Sequence, residues 1–116
     1  LVGTGDDVMI AGFIIEGDQA LTVLLRGRGP SMAAAGVAGV LPDPYLTLVR
    51  LDGSFIDGND DWQLHPRAAE ISPELAPTDV REAVIVTTLT PGAYTVILSG
   101  ARATTGTGIV EVFDIH

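Results

Sequence analysis

Apolar positions in this chain come in short runs interrupted by Gly, Pro and Asp, and none is sustained at a 3.6-residue period. That pattern predicts strands and turns rather than helices. The first run, over 8–16, holds Gly12 in its interior, which predicts a bulge or a close backbone approach. Glu16-Gly17-Asp18-Gln19 reads as a turn and 20–26 as a second strand; an irregular connection with Gly-Pro and Pro-Asp-Pro punctuation follows over 27–44. A third strand is expected over 45–52. Asp52-Gly53 between apolar flanks signals a hairpin, because glycine accepts the positive φ of a type I′ turn. Phe55 and Ile56 open a short fourth strand that runs into an acidic stretch, and 63–81 reads as loop with one helical turn around 66–70. A fifth strand over 82–89, a type II turn at Pro91-Gly92, a sixth strand over 93–99 and a seventh over 108–115 complete the pattern.

Seven or more short strands with regular turn signals predict an all-β fold. The expected architecture is an antiparallel β-sandwich, jelly-roll or Ig-like Greek key, of about seven to nine strands. A small barrel uses the same signals. No internal repeat or boundary divides the chain, so 1–116 is read as one domain. Along the sixth strand Tyr94, Val96 and Leu98 share one face, and Thr95, Ile97 and Ser99 the other. Residues 8–15 and 84–86 are apolar on both faces. An antiparallel sandwich normally leaves one face of each sheet to water. The surplus therefore needs covering, by the long loops or by another chain.

Composition narrows the function classes. Six basic residues, all Arg, stand against 15 acidic ones, for a net charge of −9. Six scattered arginines do not make the basic face that nucleic acid or an anionic membrane requires. Cysteine is absent, which excludes disulfides, thiolate metal sites and thiol nucleophiles. The longest apolar runs, over 8–15 and 32–41, are half the length of a spanning helix, so no membrane span is expected. With Leu1 first and no charged segment before an apolar stretch, the expected origin is a mature product or an excised domain.

Few residues suggest chemistry. Asp57, Asn59, Asp60 and Asp61 form the densest group of oxygen ligands and are the candidate calcium site, although their spacing is not that of an EF-hand. An Asx-rich turn is the competing reading. Trp62 beside them is the candidate platform for a carbohydrate ring, or a plug in the sandwich mouth. Gly27-Arg28-Gly29-Pro30-Ser31 resembles a phosphate loop superficially, but it lacks the lysine, and Pro30 removes a needed donor. His65 and His116 have no fixed acid or nucleophile partner, and the many carboxylates form no motif; no catalytic residue is assigned and no enzyme is expected. Arg26 and Glu111 lie inside predicted strands among apolar neighbours. A buried charge needs a partner, so Arg26 (or Arg50) is expected to pair with Glu111 or Asp114 across the sandwich.

The order of motifs resembles an uncharacterised β-sandwich domain family of secreted bacterial proteins, often C-terminal. The matching stretches are Ile10-Ala11-Gly12-Phe13-Ile14-Ile15, Val23-Leu24-Leu25-Arg26, Gly29-Pro30-Ser31-Met32, Asp43-Pro44, Asn59-Asp60-Asp61-Trp62, Pro91-Gly92-Ala93-Tyr94-Thr95 and Val110-Glu111-Val112-Phe113-Asp114. Through its Asp-Asp-Trp segment and Pro-Gly-x-Tyr turn the chain is also loosely similar to bacterial pre-peptidase C-terminal domains. The resemblance implies a secreted or cell-surface, non-catalytic sandwich and carries over no catalytic residues.

These readings converge on an extracellular structural module that self-associates or docks to a surface protein. Its concrete version is a filament subunit assembled by strand pairing through Val8, Ile10, Phe13 and Ile14. The alternative is a carbohydrate- or calcium-binding module using Trp62 and the 57–61 loop, with no other cofactor.

Overall fold

The computed structural model describes residues 2–3, 8–101 and 104–115. They form an all-β sandwich of seven strands: β1 Met9–Ile15, β2 Leu21–Arg28, β3 Pro44–Arg50, β4 Phe55–Asn59, β5 Ala83–Leu89, β6 Gly92–Gly100 and β7 Ile109–Asp114. One sheet has the order β1-β6-β3-β4 and the other β5-β2-β7, with every neighbouring pair antiparallel. Among these strands only β3 and β4 are both consecutive and adjacent; every other connection crosses between sheets. The turns over 16–20 and at 90–91 are therefore arches from one layer to the other. A single helical turn, Pro30–Ala33, sits in the connection read as irregular, and 3-10 turns occupy Trp62–Leu64 and Ala68–Glu70.

Side-chain alternation builds the core. Leu46 and Leu48 from β3, with Tyr94, Val96 and Leu98 from β6, meet Val23 and Leu25 from β2 and Ala83 and Ile85 from β5. All are buried, as the period of two requires of strands with one face inward. Gly27 lies in this layer, where a Cβ would press on Leu46 and Leu98. The Tyr94 hydroxyl donates to the Thr90 carbonyl at 2.6 Å, tying the β5–β6 arch to the end of the core.

Three local expectations are corrected. Gly12 neither bulges nor meets a close backbone: β1 pairs with β6 in continuous register, and a Cβ at Gly12 would find only the Tyr94 carbonyl, 3.8 Å away. The β3–β4 hairpin is not type I′. The Gly53 N–H donates to the Arg50 carbonyl and the Arg50 N–H to the Ser54 carbonyl, which makes a three-residue loop with Gly53 at φ +87°. Asp52 accounts for the difference, since its Oδ1 accepts from the Ser54 N–H and stabilises the wider turn. At Pro91-Gly92, Gly92 adopts φ +154°, outside the type II range, because the chain there must change sheets.

The surplus apolar faces have different fates. On the outer side of β5-β2-β7, Leu24, Val84 and Val86 are buried beneath Trp62, Ile71 and Leu75 of the connection between β4 and β5. The chain covers that face itself. Among the described residues, nothing gives the outer side of β1-β6-β3-β4 such a cover: Ile10, Ile14 and Phe55 are 62%, 68% and 62% exposed.

Candidate functional site

The uncovered face is built by register. Ile10 stands beside Ile97, Gly12 beside Thr95 and Ile14 beside Ala93. Thr47 follows next to Ile97, Val49 next to Thr95, and Phe55 next to Val49. No charged side chain is among these outward positions, although the chain as a whole carries −9. Of the four residues expected to mediate association, Ile10 and Ile14 lie on this face. Phe13 points the other way, packs against the core and stacks on Tyr94 with ring centroids 5.7 Å apart; Val8 is half-buried and precedes the strand.

The acidic loop does not hold its four expected ligands together. Asp57 turns to His65, whose Nε2 lies 2.7 Å from Asp57 Oδ2. The His65 Nδ1 accepts from the Arg67 N–H at 3.1 Å, so the ring hydrogen sits on Nε2 and is donated to Asp57. Asn59 is buried and structural: its Oδ1 accepts from the Val84 N–H and its Nδ2 donates to the Asp61 carbonyl. The group that does converge is Asp43, Asp60 and Asp61, with one carboxylate oxygen each mutually within 4.8 Å. Asp43 lies outside the stretch that composition picks out and is brought in by the fold. Arg81 also feels the charge of Asp43, after the larger effect of its hydrogen bond to Asp79. Trp62 is half-buried and packs its ring against the second core cluster, on the outer face of β5-β2-β7.

A polar pocket of about 150 Å³ lies on the other sheet, lined by Arg26, Arg28, Ser31, Glu74, Thr78 and Glu82 among others. Arg26 Nε lies 2.7 Å from Glu111 Oε1, between neighbouring strands of one sheet rather than across the sandwich. Its Nη1 donates to the Leu75 carbonyl, and its guanidinium stands 5.1 Å from the centre of the Phe113 ring. Glu82 is fully buried, and its Oε2 accepts from the Gly29 N–H, the Ser31 N–H and the Ser31 hydroxyl. The phosphate-loop lookalike is thus already occupied by a carboxylate of its own chain. Nothing local to Glu82 announced this role, because its partners lie more than fifty residues away in sequence.

A larger open groove of about 580 Å³ runs between the β3–β4 hairpin and the β5–β6 arch, lined by Arg50, Leu51, Asp52 and Tyr94 among others. The Asp52 carboxyl is held below the usual range by its hydrogen bonds from Ser54. His116 lies outside the described residues. No described helix is long and apolar enough to cross a membrane. No family model, no curated protein and no solved structure matches this chain.

Proposed function

We propose that the chain is a secreted, non-catalytic structural module that self-associates through its four-stranded sheet. One observation carries the reading: the chain covers the outer face of one sheet with its own 60–82 connection and leaves Ile10, Ile14 and Phe55 bare on the other. An uncharged, contiguous face of this kind is the signature of a surface awaiting a partner. On a chain of net charge −9, it is also where two copies approach without like charges meeting. The resemblance to secreted sandwich domains agrees with this role and with an extracellular setting.

Light scattering over a concentration series, once in calcium and once in chelator, tests it. Mass rising above 12.0 kDa in both buffers is the expected result, and a fixed monomer in both overturns it. The second reading, a calcium-binding module, is favoured by the convergence of Asp43, Asp60 and Asp61. It requires a thermal midpoint that rises with calcium and an Asp60→Asn variant in which that rise is lost.

A further inference from the structure

We infer that two copies join edge to edge through β1, antiparallel about a two-fold axis at Gly12, fusing their four-stranded sheets into one of eight strands. This rests on the self-association reading and places its contact at the β1 edge of the uncovered face, with Phe55 on the opposite edge strand outside it. β1 is hydrogen-bonded to β6 on one side only, so alternate N–H and C=O groups along its other side lack a strand partner among the described residues. Such an edge is a template for another strand unless a charge, a proline, a bulge or a cover blocks it.

The other edges carry those blocks. β4 contains Asp57 and pairs with β3 through a register shift. β7 contains Glu111 and Asp114. The start of β5 is covered, with the Val84 N–H bonded to Asn59 and the Glu82 carbonyl to the Trp62 N–H. β1, with the sequence Met-Ile-Ala-Gly-Phe-Ile-Ile, has neither charge nor proline and keeps an unbroken seven-residue register. Its neighbour β6 is also uncharged. Between Met9 and Ile15 the pairing therefore sets no charge against its copy.

The strand is self-complementary. Directly opposed residues in an antiparallel pair point to the same face. With Gly12 facing Gly12 of a second copy, Ile10 faces Ile14 and Ile14 faces Ile10, joining the four exposed isoleucines into two cross-strand pairs. On the inner side Met9 faces Ile15, and the small Ala11 faces the large Phe13. Moving the axis to Ala11 or Phe13 keeps the faces matched but sets an isoleucine opposite Gly12 and shortens the overlap. The Gly12 register alone uses all seven residues and both isoleucine pairs.

The absence of native cysteine allows the register to be read directly. Gly12→Cys puts two thiols on opposed positions, about 4.5–5.5 Å apart at Cα, within disulfide reach. The position is open enough to accept the side chain. Ile10→Cys alone puts its two thiols four residues apart along the strands, roughly 13 Å, out of reach. Under mild oxidation Gly12→Cys should form covalent dimer at least tenfold faster than Ile10→Cys. A mixture of Ile10→Cys with Ile14→Cys should form the mixed dimer ahead of either variant alone. If the native chain gains mass with concentration but these rates are equal, the β1 pairing is wrong while self-association stands. If the native chain stays monomeric, both fall.

Discussion

Arg26 of β2 and Glu111 of β7 face each other in register, and the guanidinium that meets the carboxylate at 2.7 Å also bonds the Leu75 carbonyl. One side chain thereby joins two strands to the connection that covers their outer face. The pair is mostly shielded, with side-chain exposures of 14% and 27%, so neither partner is readily solvated alone. Glu111→Gln is expected to lower stability by about 2 kcal/mol in urea unfolding, because it leaves Arg26 without its countercharge. The Arg26→Met and Glu111→Leu double variant should recover part of that loss, since an apolar pair removes the stranded charge. A double variant less stable than Glu111→Gln would mean that the Leu75 and Phe113 contacts of Arg26 dominate.

Glu82 is the residue on which the β2–β3 crossover depends. Removing its carboxylate strands the buried Gly29 N–H and the Ser31 N–H together, so Glu82→Ala should cost about 3 kcal/mol in the same assay. Ser31→Ala removes one of the three donors and leaves the rest, for about 1 kcal/mol. Equal losses in the two variants would refute this division of roles.

Gly29 and Gly12 should respond oppositely to alanine. A Cβ at Gly29 would collide with the Leu41 carbonyl oxygen, a backbone atom that cannot swing aside. Gly29→Ala should therefore lower the unfolding free energy strongly, by about 3 kcal/mol or more, from overpacking plus the displaced Glu82 bond. At Gly12 the backbone is ordinary strand and the space is open, so Gly12→Ala should be neutral or stabilising by up to about 1 kcal/mol.

These contrasts mark how far the sequence could be read. The period of two located the strands and sorted Tyr94, Val96 and Leu98 from Thr95, Ile97 and Ser99, because that alternation is a local property of the pleat. Which strands become neighbours is not local: the turns over 16–20 and at 90–91 look like hairpin turns, yet each carries the chain between layers. The same limit applies to chemistry. Asp57 through Asp61 are dense in sequence, but His65 and Val84 engage two of them and the fold supplies Asp43 from elsewhere. Arg26 and Glu111 could be singled out because a charge inside an apolar strand is conspicuous; Glu82, at a strand's start, was not.

Acid should weaken the fold through the carboxylates that accept from arginine. The Arg81 hydrogen bond holds the Asp79 carboxyl below its usual value of 3.8, and the Arg67 hydrogen bond holds Glu70 below 4.5. Folding favours the ionised form at both sites, so their contribution is complete above the unfolded-state values. It fades as pH falls through the lower folded-state values. The unfolding midpoint should thus be flat from neutral down to about pH 5 and decline below about pH 4. Asp79→Asn should make that decline shallower. A decline already complete at pH 5 would point to other groups.

The alternation of β1 separates folding from assembly along one strand. Phe13 packs inward against Tyr94, whereas Ile14 and Ile10 project outward. Phe13→Ala should therefore cost about 2 kcal/mol of stability, below the full core value because the ring is only partly buried. Its effect on association should stay smaller than that of the isoleucine variants, because only its contact with Ala11 of the second copy is removed. Ile10→Lys with Ile14→Lys should do the reverse. Both positions are exposed, so the unfolding free energy should stay within about 0.5 kcal/mol per substitution. The paired lysines would face lysines of the second copy, and association should weaken at least tenfold in light scattering. Raising salt should restore part of it, since the barrier introduced is charge repulsion. Lysine variants that assemble like the native chain would place the contact elsewhere on the molecule.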